Sequence, residues 1–280
     1  MAKQYTREEV LARLKKTIAE RKPVIIAGAG TGISGKFAEK GGVDLIGVYN
    51  SGLFRMDGKG SLAGLMPYGD ANQIVIDLAN RVFPVIQETP MIAGICGTDP
   101  TREMRYYLKQ LKEIGFSAVM NFPTVGLIDG RFRKELEDTG MGYGVEIETL
   151  KLAKELGFFT LGYAFNVEEA AMVGRAQLDV IICHMGLTKG GSIGSKYAEA
   201  MTLEQSAELI REMTKAARQG YPDIMIFAHG GPISGPEDTA YIYQNTEAVG
   251  FLGASSIERI PIEVPLTEAV RQFKNVPLKR

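Results

Sequence analysis

VIIAGAGTG (Val24–Gly32) opens with β-branched apolar residues and closes in a glycine-rich turn, and the same pattern recurs seven more times. The other runs are DLIGVYNSG (Asp44–Gly52), MIAGICGTD (Met91–Asp99), AVMNFP (Ala118–Pro123), FFTLGYAFN (Phe158–Asn166), VIICHMG (Val180–Gly186), IMIFAHGGP (Ile224–Pro232) and GFLGASSIER (Gly250–Arg259). Each starts apolar and ends in small, polar or ionisable residues. Between them lie helical patterns, near residues 34–39, 70–87, 101–114, 145–156, 168–176, 203–219, 236–244 and 267–273. Short apolar runs alternating with helices predict a parallel sheet with right-handed crossovers. Eight strands without a dinucleotide fingerprint favour a closed (β/α)8 barrel over its rival, an open doubly wound sheet. A barrel carries its site at the carboxyl ends of its strands, where the polar clusters fall.

The 280 residues suit one barrel domain spanning 1–280, with residues 1–22 as a helical extension ahead of the first strand. Val10, Leu11, Leu14 and Ile18 give that extension its apolar stripe. An apolar content of 45% is enough for a large core. A net charge of -1 without a long basic stretch argues against nucleic acid and anionic membrane as main partners. No apolar run approaches the ~20 residues of a membrane span, and the N-terminus lacks the apolar centre of a secretory signal. Two cysteines, Cys96 and Cys183, suit a reducing, cytoplasmic location better than a disulfide framework. The glycine-rich segments 52–69, 124–143 and 187–197 are expected as irregular loops near the mouth.

The strand ends supply the candidate chemistry. His184 and His229 are the only histidines, and both end strands, the sixth and seventh. Adjacent placement makes them candidate acid–base residues, although an isolated histidine is more often structural. Cys96 is a candidate nucleophile or a buried small side chain. Asp99 is a candidate base or metal ligand, or the cap of the helix that follows. Cys183 alternates to the face opposite His184 and is a packing residue. Gly28, Gly30 and Thr31 form either a tight turn or a cradle for a phosphate or carboxylate. Gly230, Gly231, Ser255 and Ser256 form either an anion pocket after strands seven and eight or a small-residue packing layer. Arg259 could add a charge there or be a solvated residue. Asn50, Asn121 and Asn166 end strands two, four and five, where amides hold substrate oxygens or close turns. Glu146 and Glu148 read best as carboxylates placed against a helix dipole.

Taken together, AGAGTGISGKFAEKGGVDLIGVYNSG, GSLAGLMPYGDAN, AGICGTDP, NFPTVGLIDG, TGMGYGVEIE, HMGLTKGGSIG and HGGPI resemble the phosphoenolpyruvate-hydrolase-like barrel proteins, also labelled TIM-barrel signal-transduction proteins. A related domain occurs in the carboxyl-terminal part of the Tm-1-type plant virus-resistance proteins. The order of motifs is more distantly similar to the phosphoenolpyruvate mutase and isocitrate lyase superfamily. That resemblance implies that Ser51-Gly52 binds the carboxylate end of a substrate. It also implies Mg²⁺ held by an acidic pair after strand three and an acidic residue on strand four. Here those positions read Gly94-Ile95-Cys96-Gly97 and Asn121, with Asp99 a few residues on. Those acidic ligands are not matched, so a divalent metal stays an open expectation.

The expected function is a hydrolase or lyase acting on a small 2-oxo acid or a phosphoenolpyruvate-like substrate, working as a homo-oligomer. His184 or His229 would be the acid–base, with Cys96 or Asp99 as second partner. Ser51, Gly52 and the Gly28–Thr31 turn would take the carboxylate, and Asn121 and Asn166 would orient oxygens. The alternatives are a barrel that binds or senses a small molecule without turning it over, and a transition-metal hydrolase using both histidines and Asp99.

Overall fold

A computed structural model of the chain describes residues 2–194 and 201–279; positions 195–197 of the third expected loop fall outside them. Eight parallel strands close into a barrel in sequence order, and β8 pairs with β1. They are β1 (Val24–Gly28), β2 (Leu45–Val48), β3 (Met91–Gly94), β4 (Ala118–Met120), β5 (Phe159–Ala164), β6 (Val180–His184), β7 (Met225–His229) and β8 (Gly250–Gly253). Outside them lie α1 (Arg7–Ala19), α2 (Gly32–Lys40), α3 (Asn50–Met56), α4 (Ala71–Val82), α5 (Met104–Ile114) and α6 (Gly130–Asp138). The rest are α7 (Tyr143–Glu155), α8 (Val167–Arg175), α9 (Leu203–Gly220), α10 (Pro236–Asn245) and α11 (Ile260–Lys274). Among the described residues, no helix is long and apolar enough to cross a membrane.

Strand alternation divides the core into two packed layers. Val24, Ile26, Leu45, Ile92, Leu161, Val180, Ile182, Phe227 and Leu252 fill the barrel interior. Ile46, Ala93, Val119, Ile181, Cys183, Ile226 and Phe251 face outward into the helical layer. Cys183 is therefore a packing residue, and burial pushes its thiol up to about 12. The same parity turns the last residues of β6 and β7 inward, so His184 and His229 point to the barrel axis.

The N-terminal extension closes the barrel floor. Thr6 and Glu9 form a capping box on α1, and Val10 and Leu14 join the interior cluster. Arg7 clamps the α1 start to Asp179 at 2.6 Å, just before β6.

Several expected boundaries differ from the structure, three of them near the mouth or the C-terminus. Segment 52–69 is not wholly irregular: α3 occupies Asn50–Met56 and a 3-10 turn Ser61–Leu65. Its glycines hide a helix that forms because Phe54 and Arg55 are buried. Segment 124–143 contains α6, whose Arg131–Glu135 and Arg133–Glu137 pairs link successive turns at 2.7 Å. The last helix starts at Ile260 rather than near 267, with Pro261 in the first turn, where no N–H is required.

Replacing Leu14 by Ala should open a hole in the barrel floor and cost about 2–5 kcal/mol. Urea unfolding checks this, and an unchanged midpoint would show that α1 is not part of the cooperative core.

Candidate active site: a histidine cavity at the barrel mouth

A small cavity of about 50 Å³ sits at the carboxyl ends of the strands, lined by Tyr49, Ser51, Arg55, Tyr163, His184, His229 and Ser255 among others. The 3-10 turn residues Ser61 and Leu62, with Leu187 and Thr188, form its rim.

His184 and His229 are register partners, with ring centroids 4.6 Å apart. Their backs are held differently. Nδ1 of His184 accepts a hydrogen bond from the Gly186 N–H at 3.0 Å. A neutral His184 therefore carries its proton on Nε2. Nδ1 of His229 lies 2.6 Å from the Leu252 carbonyl, which can only accept. That nitrogen is therefore the protonated one, and Nε2 of His229 is an open lone pair. Burial, and then the neighbouring His229, push the His184 pKa well below its usual range. Burial also pushes His229 down to about 4, aided by the charge of Arg55 and opposed by the Leu252 bond. The cavity thus holds two neutral imidazoles, one presenting a donor and the other an acceptor.

Glycines allow the two histidine loops to interlock. The Gly231 N–H donates to the Gly186 carbonyl at 2.7 Å, and the Lys189 N–H to the Gly231 carbonyl at 3.0 Å. Gly230 has φ 76°, and a Cβ there would sit 2.3 Å from the Gly186 oxygen. Gly230 and Gly231 are a latch between β6 and β7 rather than an anion pocket.

A buried ion pair lies beneath the other side of the cavity. Arg55 donates from Nε (2.9 Å) and Nη2 (2.5 Å) to Oε2 of Glu258. Glu258 Oε1 accepts from the Gly30 N–H at 2.6 Å and the Ser34 hydroxyl at 2.5 Å. Burial opposes the Arg55 charge, and Tyr49 and Glu258 more than offset it, so the guanidinium stays cationic. The expected anion cradle at Gly28–Thr31 is thus filled by the protein's own carboxylate. A Cβ on Gly28 would lie 2.5 Å from the Tyr49 hydroxyl and 3.0 Å from Arg55 Nη2, so Gly28 makes room for the ion pair. Thr31 caps α2.

The remaining expected residues divide by place. Ser51 and Ser255 line the cavity, and the Ser51 hydroxyl donates to the Ser61 carbonyl at 2.8 Å. Gly52 packs against Gly30, where a Cβ would stand 3.3 Å from the Gly30 Cα. Ser256 faces an outer groove beside α10 instead. Asn166 caps α8 through the Glu169 N–H at 2.8 Å. Asn121 is buried, donating to Glu146 and accepting from the Tyr163 N–H, both at 2.7 Å.

Asn50, Cys96 and Asp99 lie in a second, wider hollow of about 560 Å³ with Arg102 and Glu146. Asp99 accepts from Thr101, Asn72 and Arg102; these bonds overcome its burial and hold it down to about 2. It does not cap the following helix, which starts at Met104 with Glu103 as its cap. Burial lifts the Cys96 thiol above its ordinary value. Burial also lifts Glu146 to about 7, against bonds from Thr124, Val125 and Asn121. Arg259 pairs with Glu263 on α11.

The described residues form no metal cage built from side chains alone. Among the described residues, no three His, Cys, Asp or Glu side chains converge on a point that could hold an ion. The histidines and Asp99 line different hollows, so the histidine–Asp99 metal centre is not assembled.

A closed parallel barrel with a largely apolar cavity and a few convergent polar groups at its carboxyl end has the layout in which barrels hold small molecules. The chain belongs to the phosphoenolpyruvate hydrolase-like family, whose family model matches residues 9–276. It is 52% identical over 274 residues to the ToMV resistance protein Tm-1(GCR237) of Solanum lycopersicum, covering 98% of this chain and 36% of that protein. The chain therefore spans about a third of that relative's length. Among solved structures it is similar to a phosphonopyruvate hydrolase complexed with oxalate and Mg²⁺ (TM-score 0.62, 14% identity, 97% of this chain and 88% of that one). It is also similar to oxaloacetate acetylhydrolase (TM-score 0.60, 14% identity, 94% and 87%). Likeness at that identity establishes the fold.

Arg55, Tyr49 and Tyr163, which line the candidate cavity, and Glu258, which holds Arg55, were not singled out from the sequence. The signal for Arg55 was a charge inside the apolar run Leu53–Met56.

Depressed histidine pKa values make stability depend on pH. The folded state holds His229 neutral down to about 4, whereas the unfolded chain takes up that proton near 6.5. Stability should therefore be complete above pH 6.5 and fall by on the order of 3 kcal/mol between pH 6.5 and 4. Urea titrations at several pH values check this, with His229→Asn expected to flatten the slope. An equal slope in that variant would refute it.

Proposed function

We propose that the protein is a hydrolase or lyase acting on a small 2-oxo acid, with His229 as general base and His184 as hydrogen-bond donor to the developing oxyanion. The opposed tautomers of the two histidines at one cavity carry this reading. The Nε2 lone pair of His229 would take a proton from a substrate hydroxyl or an attacking water. The Nε2–H of His184 would stabilise the enolate or tetrahedral oxygen that forms as the C–C or C–P bond breaks or water adds. Both rings sit where little water competes, which strengthens each interaction. The related solved structures, a phosphonopyruvate hydrolase and an oxaloacetate acetylhydrolase, support the substrate class.

Oxaloacetate, phosphonopyruvate and phosphoenolpyruvate are the substrates to assay, with and without added Mg²⁺. Turnover of one of them should fall by about 10²–10⁴ in His229→Ala. Ligand-induced stabilisation without turnover by the wild type would instead favour a binding module.

We also propose that the chain self-associates through α11. That helix buries none of its residues, while Ile262, Leu266, Val270 and Phe273 form one apolar stripe, Phe273 being 83% exposed. Its first turn is pinned to the loop after β6, since Glu263 accepts from the Ser192 N–H at 2.8 Å and hydroxyl at 2.6 Å. An apolar groove of about 490 Å³ lies open between α10 and the outer faces of β1 and β8. A second copy's α11 suits it, and the exchange closes with two-fold symmetry. Light scattering should give twice the single-chain mass. Leu266→Glu with Phe273→Glu should halve it, and a monomeric wild type would end the idea.

A further inference from the structure

We infer that Arg55 is the anchor for a ligand carboxylate in the histidine cavity, with Glu258 as the positioning residue that holds it there. This rests on reading that cavity as the substrate pocket.

Hydrogen-bond accounting on the guanidinium carries the inference. Arg55 is 1% exposed, so it has almost no contact with bulk water. Its Nε and Nη2 are committed to Glu258, and Nη2 also lies 3.4 Å from the Tyr49 hydroxyl. Nη1 makes no hydrogen bond among the described residues, yet it is not a fully enclosed, unsatisfied atom. Arg55 lines the cavity, and Nη1 is the guanidinium nitrogen left without a protein partner to meet a ligand there. A buried cation with unspent donors is complemented by an acceptor-only anion, and a planar carboxylate matches the guanidinium edge.

Glu258 does not occupy that place. One of its oxygens takes Gly30 and Ser34, the other takes Arg55, and the residue does not line the cavity. An incoming anion therefore meets the guanidinium rather than the carboxylate. Glu258 reaches Arg55 from the β8 side and is itself fixed by the β1 turn, so the guanidinium is preorganised at its cavity edge.

The other cavity groups narrow the ligand. His184 Nε2–H and the Ser255 hydroxyl can donate, and His229 Nε2 accepts. A carboxylate on Arg55 would leave an adjacent oxygen within this donor–acceptor pair. Ser51, expected to take the carboxylate, has its hydroxyl committed to Ser61.

Calorimetric titration of the intact protein in EDTA tests this with oxalate, glyoxylate, inorganic phosphate and the neutral analogue oxamide. Oxalate should bind wild type and His229→Ala, and oxamide neither. Arg55→Lys offers one ammonium to both Glu258 and ligand, and should bind oxalate at least tenfold more weakly. The double variant Arg55→Gln, Glu258→Gln keeps the volumes, removes both charges and should not bind it. Unchanged affinity in Arg55→Lys and in the double variant would overturn the anchor, as would a wild type that ignores oxalate. Phosphate binding more tightly than oxalate would overturn the carboxylate assignment. If the double variant fails to fold by circular dichroism, Arg55→Lys alone decides. Arg55-dependent oxalate binding without turnover of any 2-oxo acid would leave the anchor standing and remove the histidine acid–base reading.

Discussion

One carboxylate, Glu258, ties the mouth of the barrel together at the β8–β1 seam. It receives the Gly30 N–H from the β1 turn, the Ser34 hydroxyl from the first turn of α2 and the Arg55 guanidinium from α3. Both partners of the ion pair are essentially out of water, at 1% and 0% side-chain exposure. Burying two charges costs several kcal/mol each before their attraction is counted. The geometry offsets this in part, because both carboxylate oxygens are hydrogen-bonded. Such a pair is weak evidence for stability; its effect here is placement. Arg55 cannot leave the cavity floor without stranding a buried carboxylate, and the β1 turn cannot move without losing its acceptor.

The histidine pair obeys the same low-dielectric logic with the opposite result. Two imidazoles 4.6 Å apart in a buried cavity near a permanent cation do not both ionise, and burial keeps them neutral. Neutrality alone would leave their tautomers undetermined. The backbone decides them: an N–H behind His184 and a carbonyl behind His229 turn chemically identical rings into a donor and an acceptor. Tyr163 packs 5.7 and 5.5 Å from the two ring centroids and limits their rotation.

Eight strand endings made the barrel legible, because strand parity and glycine turns are local signals. The same parity placed His184 and His229 inward, and these were readable as site candidates before any coordinates. What was not legible depends on contacts across the chain. Arg55 and Glu258 are 203 positions apart and belong to no shared motif. Glycines misled in both directions. Gly28 and Gly30 resembled an anion cradle, but a Cβ at Gly30 would stand 2.0 Å from the Gly52 carbonyl oxygen. Their smallness serves the approach of β1 to α3. Elsewhere, flanking glycines concealed α3 and α6. Asn166 shows the limit of composition, since an amide at a strand end reads alike as a cap and as a ligand.

The acidic groups near β3 and β4 are engaged by the loops around them. Asp99 is saturated by Thr101, Asn72 and Arg102, and Glu146 by Asn121, Thr124 and Val125. Both carboxylates organise loops through these bonds. The β6, β7 and β8 endings, with Arg55 of α3, supply a donor, an acceptor and a fixed positive charge around one cavity. The rim is thus divided, with hydrogen-bonded acids on one side and a preorganised neutral pair beside a cation on the other. Volume alone would have selected the hollow; the state of the hydrogen bonds selects the cavity.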